Sequence, residues 1–366
     1  FTTLYHLIFI VKIKIIMKLC ILGEGLVSLT LAKALVNEGV YVDVISTKKK
    51  LNYNKAQTIG ISKSNIEFFN KNILNIEKLL WDINKIEIFS ENLDNKKILD
   101  FKNSNQKLFA IIKNSELYDL LFSSLIKSKY FKFKSKFVDK NYGLIINCDS
   151  SNPITKKFFF NKFEKEYDSY AHTTLIEHEY LNNNHVASQI FTKKGPLAFL
   201  PISEKSTSIV YSVKGKTDID LENLIRKYNF KYHIVGIKKS YSFKLKFSTL
   251  RSYHHANILA FGDVLHKLHP LAGQGFNMTI RDIKELLKII KYKKSVGLDL
   301  DSSICLNFER KLKHKNYLFS NGIDFIYEFF NFENKIDTNI LSKSLYFMNK
   351  NKGINKLFTK FADTGI

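Results

Sequence analysis

Three cysteines, four prolines and a single tryptophan in 366 residues leave several architectures without support. Cys20, Cys148 and Cys305 lie far apart and form no CxxC pair, which argues against a disulfide scaffold or a cysteine metal cluster and fits a reducing compartment. No Pro- or Ser-rich linker and no internal repeat appears, so two domains would be interleaved rather than strung apart. Long apolar runs are also missing: Leu4 to Val11 is cut short by Lys12, Lys14 and Lys18, well below a membrane span. A signal peptide would carry its basic residues first and a small-residue cleavage site after, and this start has neither. Residues 1–16 are therefore expected to be an upstream extension without a folded role, and the protein to be cytoplasmic.

Acidic residues are scarce, 34 against 57 Lys and Arg, giving a formal net charge of +23. The excess is spread along a chain rich in Lys, Asn, Ile and Phe throughout, as AT-biased codon usage would produce. No basic helix or aromatic ladder of a nucleic-acid module is present, so nucleic acid is not an expected partner. The short runs Lys48–Lys50 and Lys291–Lys294 read as solvated faces, with contact to anionic lipid as the alternative.

What is there is a βαβ opening. Lys18–Leu22 is a short apolar run of the buried parallel type, followed by Gly23-Glu-Gly25-Leu-Val-Ser28. Apolar residues at helical spacing from Leu29 to Asn37 end at Gly39, and Val40–Ile45 gives a second strand. The first glycine makes the turn, and the second lets backbone N–H groups approach a pyrophosphate at the helix N-terminus. The acid expected at the end of the second strand is replaced by Ser46, a weaker partner for a ribose hydroxyl.

Further on, Lys85–Phe89 and Lys97–Phe101 read as strands and Ser115–Lys127 as a helix. Leu144–Ile146 is a buried strand. A run of strands follows within residues 158–247, interrupted by a helix near Asp220–Tyr228, and the terminal third is helical. The expected fold is α/β: a Rossmann-like unit (17–80, 106–160 and 251–290) interleaved with a mostly antiparallel sheet domain (81–105 and 161–250), then a helical C-terminal region (291–366).

The most informative stretch runs from Gly262 to Asn277, with Asp263, His266, His269, Pro270, Gly273, Gln274 and Gly275 in between. It follows the strand-like Asn257–Phe261 and precedes a good amphipathic helix. Glycine removes the Cβ that would hold a flat ligand away, Asp263 is placed to accept from sugar-like hydroxyls, and the helix start presents positive charge. His266 and His269 lack a third ligand, which argues against a metal.

This block resembles the second flavin motif of the class A flavin monooxygenases, most of all the ubiquinone-biosynthesis hydroxylases. The matching residues are Gly262, Asp263, His266, His269, Pro270, Ala272, Gly273, Gln274, Gly275, Asn277, Arg281 and Asp282. Gly195–Pro201 is similar to a strand of that family's substrate sheet, and Thr58–Ser62 to the segment after its second strand. The resemblance implies FAD held by Gly23, Gly25, Ser28, Ser46, Gln57, Asp149 and the Gly262–Asn277 block, and NAD(P)H as transient reductant. It implies a polyprenylated phenol and O2 as substrates, with oxygen transferred through a C4a-hydroperoxide. His266 and His269 are the candidate catalytic side chains, and Phe199 and Leu200 the candidate substrate contacts. Location would be cytoplasmic, peripheral on the inner face of the membrane, within a ubiquinone-biosynthesis assembly. Gln57 stands where the family usually has arginine, Ser150 where it has glycine and Lys156 where arginine is usual. These departures motivate an alternative, a flavin-poor scaffold or binding subunit of such an assembly. A halogenase of related fold would carry a tryptophan-rich motif, which one tryptophan excludes.

Overall fold

The computed structural model describes residues 18–46, 57–102, 107–138, 142–215, 219–268 and 274–336. Two large sheets and a small one organise them. In the first, β1 (Lys18–Leu22) lies at the centre, with β2 (Tyr41–Ile45) on one side and β9 (Leu144–Asn147) on the other. β8 (Phe131–Lys134) and β17 (Ile258–Ala260) extend it in parallel, and β16 (His254–His255) closes one edge as an antiparallel hairpin. Strands buried on both faces read as continuous apolar runs, and Leu19–Leu22 and Leu144–Ile146 are fully buried.

The crossover helix α1 (Leu26–Asn37) ends where Gly39, at φ +70°, turns the chain back. α3 (Asn114–Leu125) packs beside it, burying Leu117, Leu121 and Leu125 on one stripe. A small sheet of β3 (Thr58–Ser62), β7 (Phe109–Lys113) and β4 (Trp81–Ile83) bridges to the second body, with α2 (Lys63–Asn72) following β3. Trp81–Ile83 thus pairs with Phe109–Ile111 and not with the larger sheet.

The second sheet has nine strands. From one edge it runs β18 (His266–Lys267), β15 (Tyr241–Leu250), β10 (Lys162–His178), β13 (Ser206–Lys214), β12 (Gly195–Pro201), β11 (Val186–Thr192), β5 (Lys85–Ser90) and β6 (Lys96–Lys102). β14 (Ile234–Ile237) adds to β10. Only the β11–β5 pairing is parallel. α5 (Leu221–Tyr228) covers one face, packing Leu221, Ile225 and Tyr228 on Leu197, Phe199 and Tyr211. α4 (Pro153–Phe158) is a short helix after β9, and α6 (Gln274–Ser295) and α7 (Ser303–Ile336) complete the described chain. The stretch Asn321–Phe332 is not a separate helix; it belongs to the 34-residue α7. Among the described residues, no helix is long and apolar enough to cross a membrane.

Candidate cofactor edge and substrate pocket

Because β2, β1, β9 and β17 run parallel, their C-terminal ends reach one edge in register. Ile45, Leu22, Asn147 and Ala260 are paired across the sheet. One residue further on stand Ser46, Gly23, Cys148 and Phe261, tied by Gly23 N to Ile45 O (3.0 Å), Cys148 N to Leu22 O (2.9 Å) and Phe261 N to Asn147 O (2.9 Å). This is where open α/β sheets bind ligands, outside the carboxyl ends of the strands.

Gly23, at φ +104°, sits against the Asp149 loop; a Cβ there would lie 3.1 Å from Asp149 Cβ. Gly25 is the N-cap of α1 with no side-chain cap, and the first turn has no acidic residue. Its N–H groups are therefore left for an anion. Ser28 is buried in the same first turn and hydrogen-bonds the Cys148 thiol. Burial pushes that thiol up to about 12, with Ser28 opposing and Asp263 and Asp149 adding to the rise. Cys148 therefore stays neutral, with the Asp149 and Asp263 carboxylates of two separate loops close enough to raise it.

Asp149 Oδ1 accepts from Ser151 N (2.9 Å) and Ser151 Oγ (2.6 Å), which sets the loop's turn. The helical turn Gly262–Val264 presses on α1: a Cβ on Gly262, at φ +59°, would fall 2.8 Å from Val27 Cγ1. Asp263 is exposed beside it. The glycine turn near the N-terminus and the block beginning at Gly262 are thereby brought together by one close approach.

Of the later block, His269, Pro270 and Gly273 lie outside the described residues. Gln274 is buried at the start of α6, and a Cβ on Gly275 would meet nothing within 4 Å, so the backbone there borders open space. Asn277 is buried and holds three partners. Its Oδ1 accepts from Ser62 N (2.9 Å) and Asn65 Nδ2 (2.9 Å), and its Nδ2 donates to Gly60 O (2.7 Å). It locks α6 to β3 and α2. His266 is also buried and donates from Nε2 to Asp282 Oδ2 at 2.6 Å, with Asn316 Nδ2 on the other carboxylate oxygen at 3.0 Å. This pair anchors the loop through Nε2, while the buried Nδ1 finds no partner among the described residues.

A cavity of about 250 Å³ lies between the small sheet and the uncovered face of the large one. Gln57, Thr58 and Asn114 form one wall; Pro196, Ala198 and Leu200 of β12 and Ser208, Val210 and Ser212 of β13 form the other. Leu200 lines it. Phe199 does not: neighbouring strand residues point to opposite faces, and Phe199 packs on Tyr232 in the α5 core. Expecting both to touch one ligand was incompatible with strand geometry. Thr173 of β10, which the sequence reading missed, is buried in this wall, and its hydroxyl finds no partner among the described residues. The sequence signal for the cavity as a whole is a set of small residues on one sheet face (Ala198, Ser208, Ser212), which leave room above it.

No protein-family model matches the chain. Among solved structures, the fold resembles Klebsiella pneumoniae HpxO complexed with FAD and uric acid (TM-score 0.73, 12% identity, 95% of this chain and 97% of that one). It also resembles p-nitrophenol 4-monooxygenase PnpA of Pseudomonas putida (TM-score 0.72, 11% identity, 95% and 98%). This is the class A FAD-dependent monooxygenase fold, the fold of a family of aromatic hydroxylases. By sequence the chain is a distant relative of the ubiquinone-biosynthesis hydroxylases. It is 22% identical to the mitochondrial ubiquinone biosynthesis monooxygenase COQ6 of Drosophila melanogaster, over 80% of this chain and 78% of that protein. To the Schizosaccharomyces pombe protein of the same name it is 21% identical over 61% of this chain and only 57% of that one. The 3-demethoxyubiquinol 3-hydroxylase of Escherichia coli matches at 26% over 38% of each.

Proposed function

We propose that the protein is an FAD-dependent hydroxylase of a polyprenylated phenol, drawing electrons from NAD(P)H and oxygen from O2, in ubiquinone biosynthesis. The observation that carries this reading is the shared edge, where an uncapped helix start, Asp149, Asp263 and two positive-φ glycines meet beside a separate cavity. The edge suits FAD: the α1 N-terminus would receive the pyrophosphate, Asp263 would accept from the ribityl hydroxyls, and open space at Gly275 would admit the ring. When bound, the flavin supplies electron storage and O2 activation. The chain's own residues orient and enclose. Asn277, by joining α6 to the Gly60 wall of the cavity, fixes the ring's support relative to the substrate's. Thr173 and Asn114 offer buried oxygens to a ring hydroxyl, and Ile86, Ile111 and Leu200 supply apolar wall.

In this reading residues 17–80, 106–160 and 251–290 form the FAD unit, and 81–105 with 161–250 the substrate unit. The test is colour: the purified protein, with and without added FAD, should show flavin absorption. A colourless protein that takes up none favours the second reading, a scaffold or binding subunit, which Ser46 in place of a ribose-binding acid supports. Complementation of strains blocked at single ring-hydroxylation steps would then identify the carbon attacked.

A further inference from the structure

A second, larger cleft of about 980 Å³ lies between the first half of α7 and the segment Thr249–His254. One stripe of α7 faces it: Leu306, Arg310, Lys313, Tyr317 and Asn321 recur at helical spacing. Phe163, at the start of β10, closes the far side. Leu306 and Tyr317 are each 55% exposed and Phe163 49%, an unusual concentration of bare apolar surface. Apart from one carboxylate, the charged groups between them are basic. Arg251 and Arg310 are exposed and make no ion pair among the described residues, and His314 adds an imidazole. The cleft's carboxylate, Glu309, is used internally. It accepts from Tyr253 N (2.9 Å), meets His254 Nδ1 (2.9 Å) and pairs with Lys313 (2.7 Å), so it offsets Lys313 and leaves the two guanidinium groups uncompensated.

Cations above apolar walls suit a ligand with an anionic head and a hydrocarbon tail. A soluble anion would leave Phe163, Leu306 and Tyr317 in water, and a neutral lipid would leave the arginines without partners. We infer that this cleft is a docking site for an anionic phospholipid at a membrane surface, with Arg251 and Arg310 on the phosphate and Leu306, Tyr317 and Phe163 against the acyl chain. The site fits the proposed lipid-tailed substrate, yet it is tested without flavin or substrate, so hydroxylation and docking can fail separately.

The experiment is co-sedimentation of the full chain with vesicles of phosphatidylcholine alone or mixed with phosphatidylglycerol. Binding should require the anionic lipid and weaken with salt. Arg251→Glu with Arg310→Glu should lower affinity at least about ten-fold. The same charge change on other faces, Lys132→Glu with Lys239→Glu, should leave most of it. Leu306→Ser with Tyr317→Ser should also weaken binding while keeping the native melting transition and the salt dependence. Equal loss from the groove and remote reversals would reduce the interaction to diffuse attraction by the net charge and overturn the assignment. So would groove variants that bind as the native chain does, or that change only the oligomeric state, which would make a second copy the occupant.

Discussion

The two sheets carry their sites in different ways. On the parallel sheet the candidate site lies at the strand ends, in loops where one short segment holds several of its residues. On the antiparallel sheet it lies on a face, where each strand contributes every second residue and no segment holds more than a few. An edge site is therefore written as contiguous motifs, and a face site as a pattern scattered over six strands of the large sheet.

The sharpest way to break this comparison is at the close approach between the two edge motifs. Gly262→Val places side-chain atoms into Val27 at a positive-φ position and should abolish flavin retention; unchanged flavin content would remove the edge from the binding site. Asp263→Ala should also release flavin but leave the fold intact, since the side chain is exposed.

Next in size is the pair Phe199 and Leu200. Phe199→Ala should cost about 3–5 kcal/mol in a denaturant melt without altering the cavity. Leu200→Trp should instead raise KM by filling the cavity, with little change in stability. Should the two variants behave alike, the facing assigned to β12 is wrong.

A smaller effect is expected at Asp43, a buried carboxylate on β2. Burial alone would raise its pKa, but hydrogen bonds from Lys134, Tyr142 and Lys18 outweigh that and hold it below the usual range. Its contribution is thus full above an unfolded pKa of about 3.9 and lost as pH falls through the lower folded value. Asp43→Asn should destabilise by about 1–3 kcal/mol at neutral pH, the gap to the native chain closing in acid. Smallest is Thr173→Val, which removes one hydroxyl from the cavity; it should raise KM a few-fold, by about 1 kcal/mol, and leave flavin content alone.

Much of the edge was legible in the sequence. Lys18–Leu22, the Gly23–Ser28 turn and the Gly262 block announce themselves because a buried parallel strand is apolar throughout and a glycine at positive φ has few substitutes. β8 was missed for the opposite reason: Phe131-Lys-Phe-Lys134 is an exposed edge strand, and two lysines conceal its pairing with β2. β10 is not singled out within the run of strands read over residues 158–247, because the charged start of its 17 residues, Lys162–Glu166, obscures it, even though it is the spine of the large sheet. Thr173 could not be picked out at all, because what marks it is an unpartnered hydroxyl in three dimensions, and any threonine on any strand looks the same in the sequence.

The Asp282 carboxylate, enclosed between His266 and Asn316, joins the loop, α6 and α7, and Asn316 reaches on to Tyr253 in the lipid cleft. Opening any one of these elements exposes the same buried charge and strands its partners. The three should therefore exchange their backbone amides as one cooperative unit, with a common opening free energy.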